Sequence, residues 1–170
     1  MLSFEFSRDS GQVMKLYIMR HGAAAPASGF DLDADANRPL TDGGRDQVVE
    51  VITRRKHALR EVELVLASPY LRARQTAQLA MAQLETMPQL LISDCLTPDG
   101  KPAAVLAFLD QLGASSILIA SHMPLVARLL ETLTTGNERR VMGTAWLAAL
   151  DMEALAPGFG ELAWIEKPHD

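Results

Sequence analysis

Arg20-His21-Gly22 follows directly on the apolar run 16–19 and sets a cation, an imidazole and a glycine at the end of what reads as a buried strand. A second apolar run, 117–120, ends in the same manner with Ser121-His122-Met123-Pro124. A third, 63–67, runs into Ser68-Pro69-Tyr70-Leu71-Arg72, which puts Arg72 in the first turn of a following helix. There the guanidinium and the free N–H groups of the helix start both favour an anion. A phosphoryl group carries close to two negative charges and three acceptor oxygens, which arginine forks match bidentately, and Arg20 and Arg72 suffice for such a clamp. Neighbouring positive charge also favours a neutral imidazole, whose ring nitrogen keeps its lone pair for attack. The residues thus point to phosphoryl transfer onto His21, with His122 held protonated against the bound phosphate to stabilise charge on the transferring group. Gly22 would permit the close backbone approach or positive φ that a ligand held against the loop requires.

Each residue also has an ordinary reading. A single strand-end histidine is usually structural, and an arginine early in a helix is usually a solvated cation. It is their convergence on several strand ends that points to chemistry. Two histidines could instead hold a metal, but no pair has ligand spacing, no H-E-x-x-H occurs, and one cysteine cannot build a structural zinc site. Thr41-Asp42-Gly43-Gly44 lacks the lysine and spacing of a nucleotide-binding P-loop. Nothing near Cys95 activates it, so it reads as an inert thiol, and Arg54, Arg55, Lys56, His57 and Arg74 read as exposed helix faces.

The elements that must position these groups alternate. Strand-length apolar runs occur at 15–19, 63–67, 90–93, 116–120, 144–150 and 161–165. Between them, Thr41 is a candidate N-cap for a helix to about residue 59, with Val48, Val49, Ile52 and Leu59 on its buried face. Further helices are expected at 71–84 and 102–112, and from Pro124 to about residue 133 with Gly136 ending it. The irregular stretch 23–35, with Gly29 and three aspartates, reads as a solvated loop. This alternation predicts an α/β three-layer sandwich, a mostly parallel sheet of about six strands with helices on both faces. Ligands of such sheets bind beyond the carboxyl ends of the strands, where the residues named above fall.

Composition agrees with one catalytic domain. The chain has 170 residues, 48% hydrophobic and 22% charged, the balance of a globular protein. A net charge of -5 offers no basic surface for nucleic acid. A single cysteine excludes an intrachain disulfide, no apolar run is long enough for a membrane span, and charges and Gly11 interrupt any signal-peptide core near the start. A cytoplasmic location is therefore expected. Met14 stands just before the first strand run, so residues 1–13 read as a flexible extension and 14–170 as the domain.

In sequence, R-H-G after a strand, Leu40-Thr41-x-x-Gly44-x-x-Gln47, Ser68-Pro69-x-x-Arg72-Ala73-x-x-Thr76-Ala77 and Ser121-His122 together resemble the histidine phosphatase superfamily, whose fold is phosphoglycerate mutase-like. Arg38-Pro39-Leu40-Thr41, Leu96-Thr97-Pro98-x-Gly100 and Ser121-His122-x-Pro124-Leu125 are most similar to its SixA-type phosphohistidine phosphatases. The resemblance implies that His21 is the phosphorylated nucleophile, that Arg20, Arg72 and His122 form the phosphate pocket, and that no metal or organic cofactor is required. It places Arg38 and Asp35 on a loop near the pocket, Arg38 as a further phosphate ligand and Asp35 as a candidate proton donor.

The chain departs from many members of that superfamily. Ala23-Ala24-Ala25 follows Gly22 where others carry Thr or Ser, and there is no room for the large helical insertion that supplies a catalytic Glu. An alkoxide leaves poorly without a general acid, whereas phosphohistidine can leave as neutral imidazole. The expected substrate is thus a phosphohistidine-bearing protein, such as a phosphotransfer domain or a phosphotransferase-system carrier, with phosphate or other oxyanions also entering the site. The alternatives are a phosphatase of small phosphorylated metabolites and an inactive phosphate-binding module. Mutase activity would require a more enclosed site.

Overall fold

Six runs of the chain pair into one sheet, and the computed structural model describes residues 11–27, 29, 31–135 and 141–169. In chain order the elements are β1 (Met14–Arg20), α1 (Leu32–Ala36), α2 (Asp42–Arg55), β2 (Leu64–Ala67), α3 (Leu71–Gln83), β3 (Gln89–Ile92), a 3-10 turn (Asp94–Leu96), α4 (Pro102–Leu112), β4 (Ser116–Ser121), α5 (Leu125–Leu133), β5 (Leu147–Met152) and β6 (Gly160–Glu166). The expected extension, 1–13, falls mostly on residues 1–10, which lie outside the described residues, as does Gly136, the expected end of the last helix.

The strand order is β3-β2-β4-β1-β5-β6. β3, β2, β4 and β1 run parallel, while β5 is antiparallel to β1 and to β6, so the sheet is mixed. Helical crossovers explain the parallel half, and the short link 153–159 between β5 and β6 permits only an antiparallel return. β1 and β4 are apolar on both faces because helices cover both. Leu16 and Ile18 point into a core with Val105 and Leu109 of α4 and Leu129 and Leu130 of α5. Tyr17 and Met19 point the other way, onto Val48, Val51 and Ile52 of α2 and Ala77 and Ala80 of α3. The result is the expected three-layer sandwich, without a large insertion.

Four local expectations change. α2 ends at Arg55 rather than near residue 59, and Leu59 packs into the core from the turn that follows. Val51, not Val49, completes the buried face of α2, which follows the helical spacing 44, 48, 51, 52. β5 begins at Leu147 rather than at residue 144, because residues 143–146 form a turn in which Ala145 takes φ 60° and Trp146 N–H donates to the Gly143 carbonyl at 3.2 Å. The stretch 23–35 is not all loop: Asp31 caps the five-residue α1 by accepting from Asp33 N–H at 3.0 Å.

Candidate active site

Strand register brings the two histidines together. Arg20 on β1 pairs with Ser121 on β4, so the next residues, His21 and His122, leave the sheet side by side with ring centroids 5.0 Å apart. β2 flanks β4 with Ala67 opposite Ala120, and α3 starts shortly after it, returning Arg72 over the same edge. Arg20, His21, Ala23, Ala24, Arg38, Arg72, His122, Met123 and Thr144 line a cleft of about 370 Å³ here. A larger hollow of about 510 Å³ lies at the other end of β1, but its one lysine, Lys15, is tied to Asp151, and the described residues lining it include no histidine and no arginine.

Close backbone packing fixes the loop after β1. A Cβ on Gly44 would stand 2.1 Å from the Ala23 carbonyl oxygen, and one on Gly22 would stand 2.5 Å from that of Gly44, so only glycines let the loop and the start of α2 meet. Gly22 N–H donates to Thr76 Oγ1 at 3.1 Å, and the Thr76 hydroxyl donates to the Arg72 carbonyl at 2.7 Å, tying the loop to α3. Thr41 N–H bonds the Ala23 carbonyl at 2.9 Å while its hydroxyl accepts from Gly44 N–H at 3.0 Å, capping α2 as the sequence predicts.

His21 is 8% exposed and its hydrogen bonds define its tautomer. Nδ1 lies 2.7 Å from the Gly22 carbonyl oxygen, which can only accept, so Nδ1 carries the proton. Nε2 then presents its lone pair, and Arg72 Nε–H donates to it at 3.3 Å. Burial, with the charges of Arg72, Arg20 and Arg38, pushes the His21 pKa down to about 4, against the opposing Gly22 bond. The imidazole is neutral at physiological pH.

The sequence expectation for His122 concerns the phosphate-bound state; the phosphate-free site shows the state before binding. Burial first, then His21 and Arg72, push its pKa down to about 2, so it is neutral before phosphate enters. Both its ring nitrogens are buried without a hydrogen-bond partner, as is Arg20 Nε. Orphaned polar groups in a cationic cleft suit an incoming oxyanion. The Tyr70 and His122 rings meet in a T-shaped contact with centroids 5.0 Å apart, and the Arg72 guanidinium lies 5.0 Å from the Tyr70 ring centre.

Arg20 is anchored by Nη1–H donating to the Met142 carbonyl at 2.7 Å. Arg38 reaches the cleft and pairs with Asp35 at 2.7 Å. Gly22 does not line the cleft; its N–H is committed to Thr76, so what it contributes is close packing. Asp35 lies against Arg38 and Arg72. Its partial burial would raise its pKa, but those two arginines outweigh that and hold it below the usual carboxylate range, the wrong direction for a proton donor. Sequence reasoning gave no part to Thr76, Tyr70, Met142 or Thr144; Thr76 stood in a quoted motif, whereas a backbone carbonyl such as that of Met142 leaves no sequence signal. Among the described residues no three His, Cys, Asp or Glu side chains gather to hold a metal, and no helix is long and apolar enough to cross a membrane.

Residues 16–95 match the family model of the histidine phosphatase superfamily, branch 1. The chain is 34% identical to the phosphohistidine phosphatase SixA of Escherichia coli K12 over 158 residues, 91% of this chain and 94% of that protein. It is 32% identical over 130 residues to a SixA homolog of Haemophilus influenzae, covering 71% of this chain and 77% of the other. The solved structure of the protein histidine phosphatase SixA complexed with tungstate superposes with a TM-score of 0.79 at 34% identity, covering 91% of this chain and 97% of that one.

Proposed function

This chain belongs to the histidine phosphatase superfamily, and on that premise we propose that it is a metal-independent phosphatase that removes phosphoryl groups from histidine side chains of a partner protein in the cytoplasm, with His21 as nucleophile. The observation that carries the reading is the pairing at His21: Nδ1–H on the Gly22 carbonyl and an unprotonated Nε2 facing Arg72.

In the first step the Nε2 lone pair attacks phosphorus and the bond from phosphorus to the partner's ring nitrogen breaks. The partner leaves as neutral imidazole when its other ring nitrogen carries a proton, so the step requires no general acid. Arg20, Arg72 and Arg38 bind the equatorial oxygens. His122, held neutral beforehand by burial and the neighbouring cations, takes a proton from solvent as the bound dianion raises its pKa, and then donates to a phosphoryl oxygen. In the second step water attacks phosphorus, the bond to Nε2 breaks, and inorganic phosphate leaves. Gly22 keeps the nucleophile's carbonyl partner in place.

The partner class is supported by the cleft lining, which among the described residues carries no carboxyl group to act as an acid. The Ala23-Ala24 wall brings no carboxyl or hydroxyl to a leaving alcohol, which supports phosphohistidine over sugar phosphates. The similarity to SixA supports the same class, and a phosphotransfer domain or phosphotransferase-system carrier would present such a group. Mass spectrometry of a phosphohistidine-bearing phosphotransfer domain, incubated with and without this protein, tests the proposal. A shortened phosphohistidine lifetime is expected; an unchanged lifetime, or much faster turnover of one sugar or nucleotide phosphate, contradicts it.

A further inference from the structure

Two guanidinium groups facing one cleft repel each other, and burial first, then the charge of Arg38, lower the pKa of Arg72. An anion placed between them offsets that repulsion before substrate arrives. The Asp35 carboxylate meets that need with both oxygens. Oδ1 accepts from Arg38 Nε at 2.8 Å and lies 2.7 Å from its Nη2, while Oδ2 lies 3.2 Å from Arg72 Nη2. The Asp35 backbone carbonyl adds a second tie, accepting from Arg72 Nη1 at 2.7 Å. Asp35 therefore grips the outer end of the Arg72 guanidinium, and its Nε edge is the one turned to His21 Nε2. Arg38 is held at three points, its Nη1 donating to the Ala25 carbonyl at 2.8 Å.

We propose that Asp35 is a positioning residue: its carboxylate bridges Arg38 and Arg72 and sets both guanidinium groups for the phosphoryl group, so that it governs oxyanion affinity and transfers no proton. This deepens the phosphatase reading and rests on it. Three features favour bridging over the alternatives. Asp35 does not line the cleft, so its carboxylate does not compete for the phosphoryl position. The arginines keep it ionised, which removes it as an acid. And α1 buries no residue, so the polar ties of Asp35, rather than apolar packing, join this segment to the site.

The test is calorimetric titration with inorganic phosphate of wild type, Asp35→Asn, Asp35→Ala, Arg38→Ala and the double variant Asp35→Ala/Arg38→Ala. Because α1 contributes nothing to the core, all should fold, which thermal melts check. Loss of the bridge should weaken phosphate binding about 10-fold in Asp35→Ala, with Asp35→Asn between it and wild type, since the amide keeps an acceptor and loses the charge. In the double variant the part of the Asp35 loss that runs through Arg38 should vanish while the part through Arg72 remains, so the two single losses should combine to less than their sum. With a phosphohistidine substrate KM should rise by the same factor, while the pH profile of kcat stays that of wild type. Unchanged phosphate affinity in Asp35→Ala, full additivity in the double variant, or loss of one limb of the kcat profile would overturn the proposal and leave the phosphatase reading standing. Failure of wild type itself to bind phosphate would overturn both.

Discussion

Nitrogen Nε2 of His21 owes its free lone pair to a backbone carbonyl: the Gly22 oxygen holds the proton on Nδ1, and burial together with the surrounding guanidinium groups keeps a second proton away. The ring proposed as nucleophile thus stays neutral well below the pH at which an ordinary histidine charges. An NMR titration in phosphate-free buffer should place the His21 imidazole midpoint near 4, and a midpoint between 6 and 7 would contradict this electrostatic reading. Arg72 donates from its Nε edge, a geometry that a lysine ammonium cannot copy. Arg72→Lys should retain the charge yet lower kcat/KM by roughly 100-fold or more, measured against the same phosphohistidine protein. These residues were legible in sequence because charged and imidazole groups at the ends of apolar strands are conspicuous. The state of His122 was not, since neutrality there depends on burial and on a neighbouring ring that only the β1–β4 register supplies.

Contacts between elements set where these groups stand. The loop after β1 meets the start of α2 through Gly22 and Gly44 with no room for a methyl group. Gly44→Ala should cost about 1–3 kcal/mol in urea denaturation, the range for overpacking, and lower kcat/KM by displacing the loop that carries His21. If activity and stability both stay at wild-type levels, the packing account of this loop fails. Thr76→Val should leave the buried Gly22 N–H without a partner, at a cost of about 1–3 kcal/mol in the same measurement. Strand and helix positions were readable because periods of two and 3.6 residues are local properties, and α4 matches its sequence limits. Two pieces were hidden for physical reasons. The turn before β5 looks like strand because Ala145 and Trp146 are apolar, yet Ala145 N–H bonds the carbonyls of Arg20 and His21, a contact 124 or more residues away in sequence. α1 gave no helical signal because it buries nothing, and its purpose lies in what Asp35 touches.

For the whole molecule, a single sheet with helices on both faces buries two cores and holds the cationic cleft at one end. That cleft carries a stability cost with a definite pH sign. Both histidines have folded pKa values below the unfolded value of about 6.5, so between pH 6.5 and about 4 the unfolded chain takes up protons that the folded chain refuses. Stability should therefore be fully present above pH 6.5 and fall as pH drops toward 4, seen as a declining urea midpoint in phosphate-free buffer, with a shallower decline in His122→Gln. A pH-independent midpoint over that range would mean that the histidines are not held neutral. The central claim, that His21 becomes transiently phosphorylated, is tested most directly by incubating the protein with labelled phosphoramidate and quenching in alkali. The account predicts acid-labile, alkali-stable label on wild type and none on His21→Ala; equal label on both proteins would contradict it.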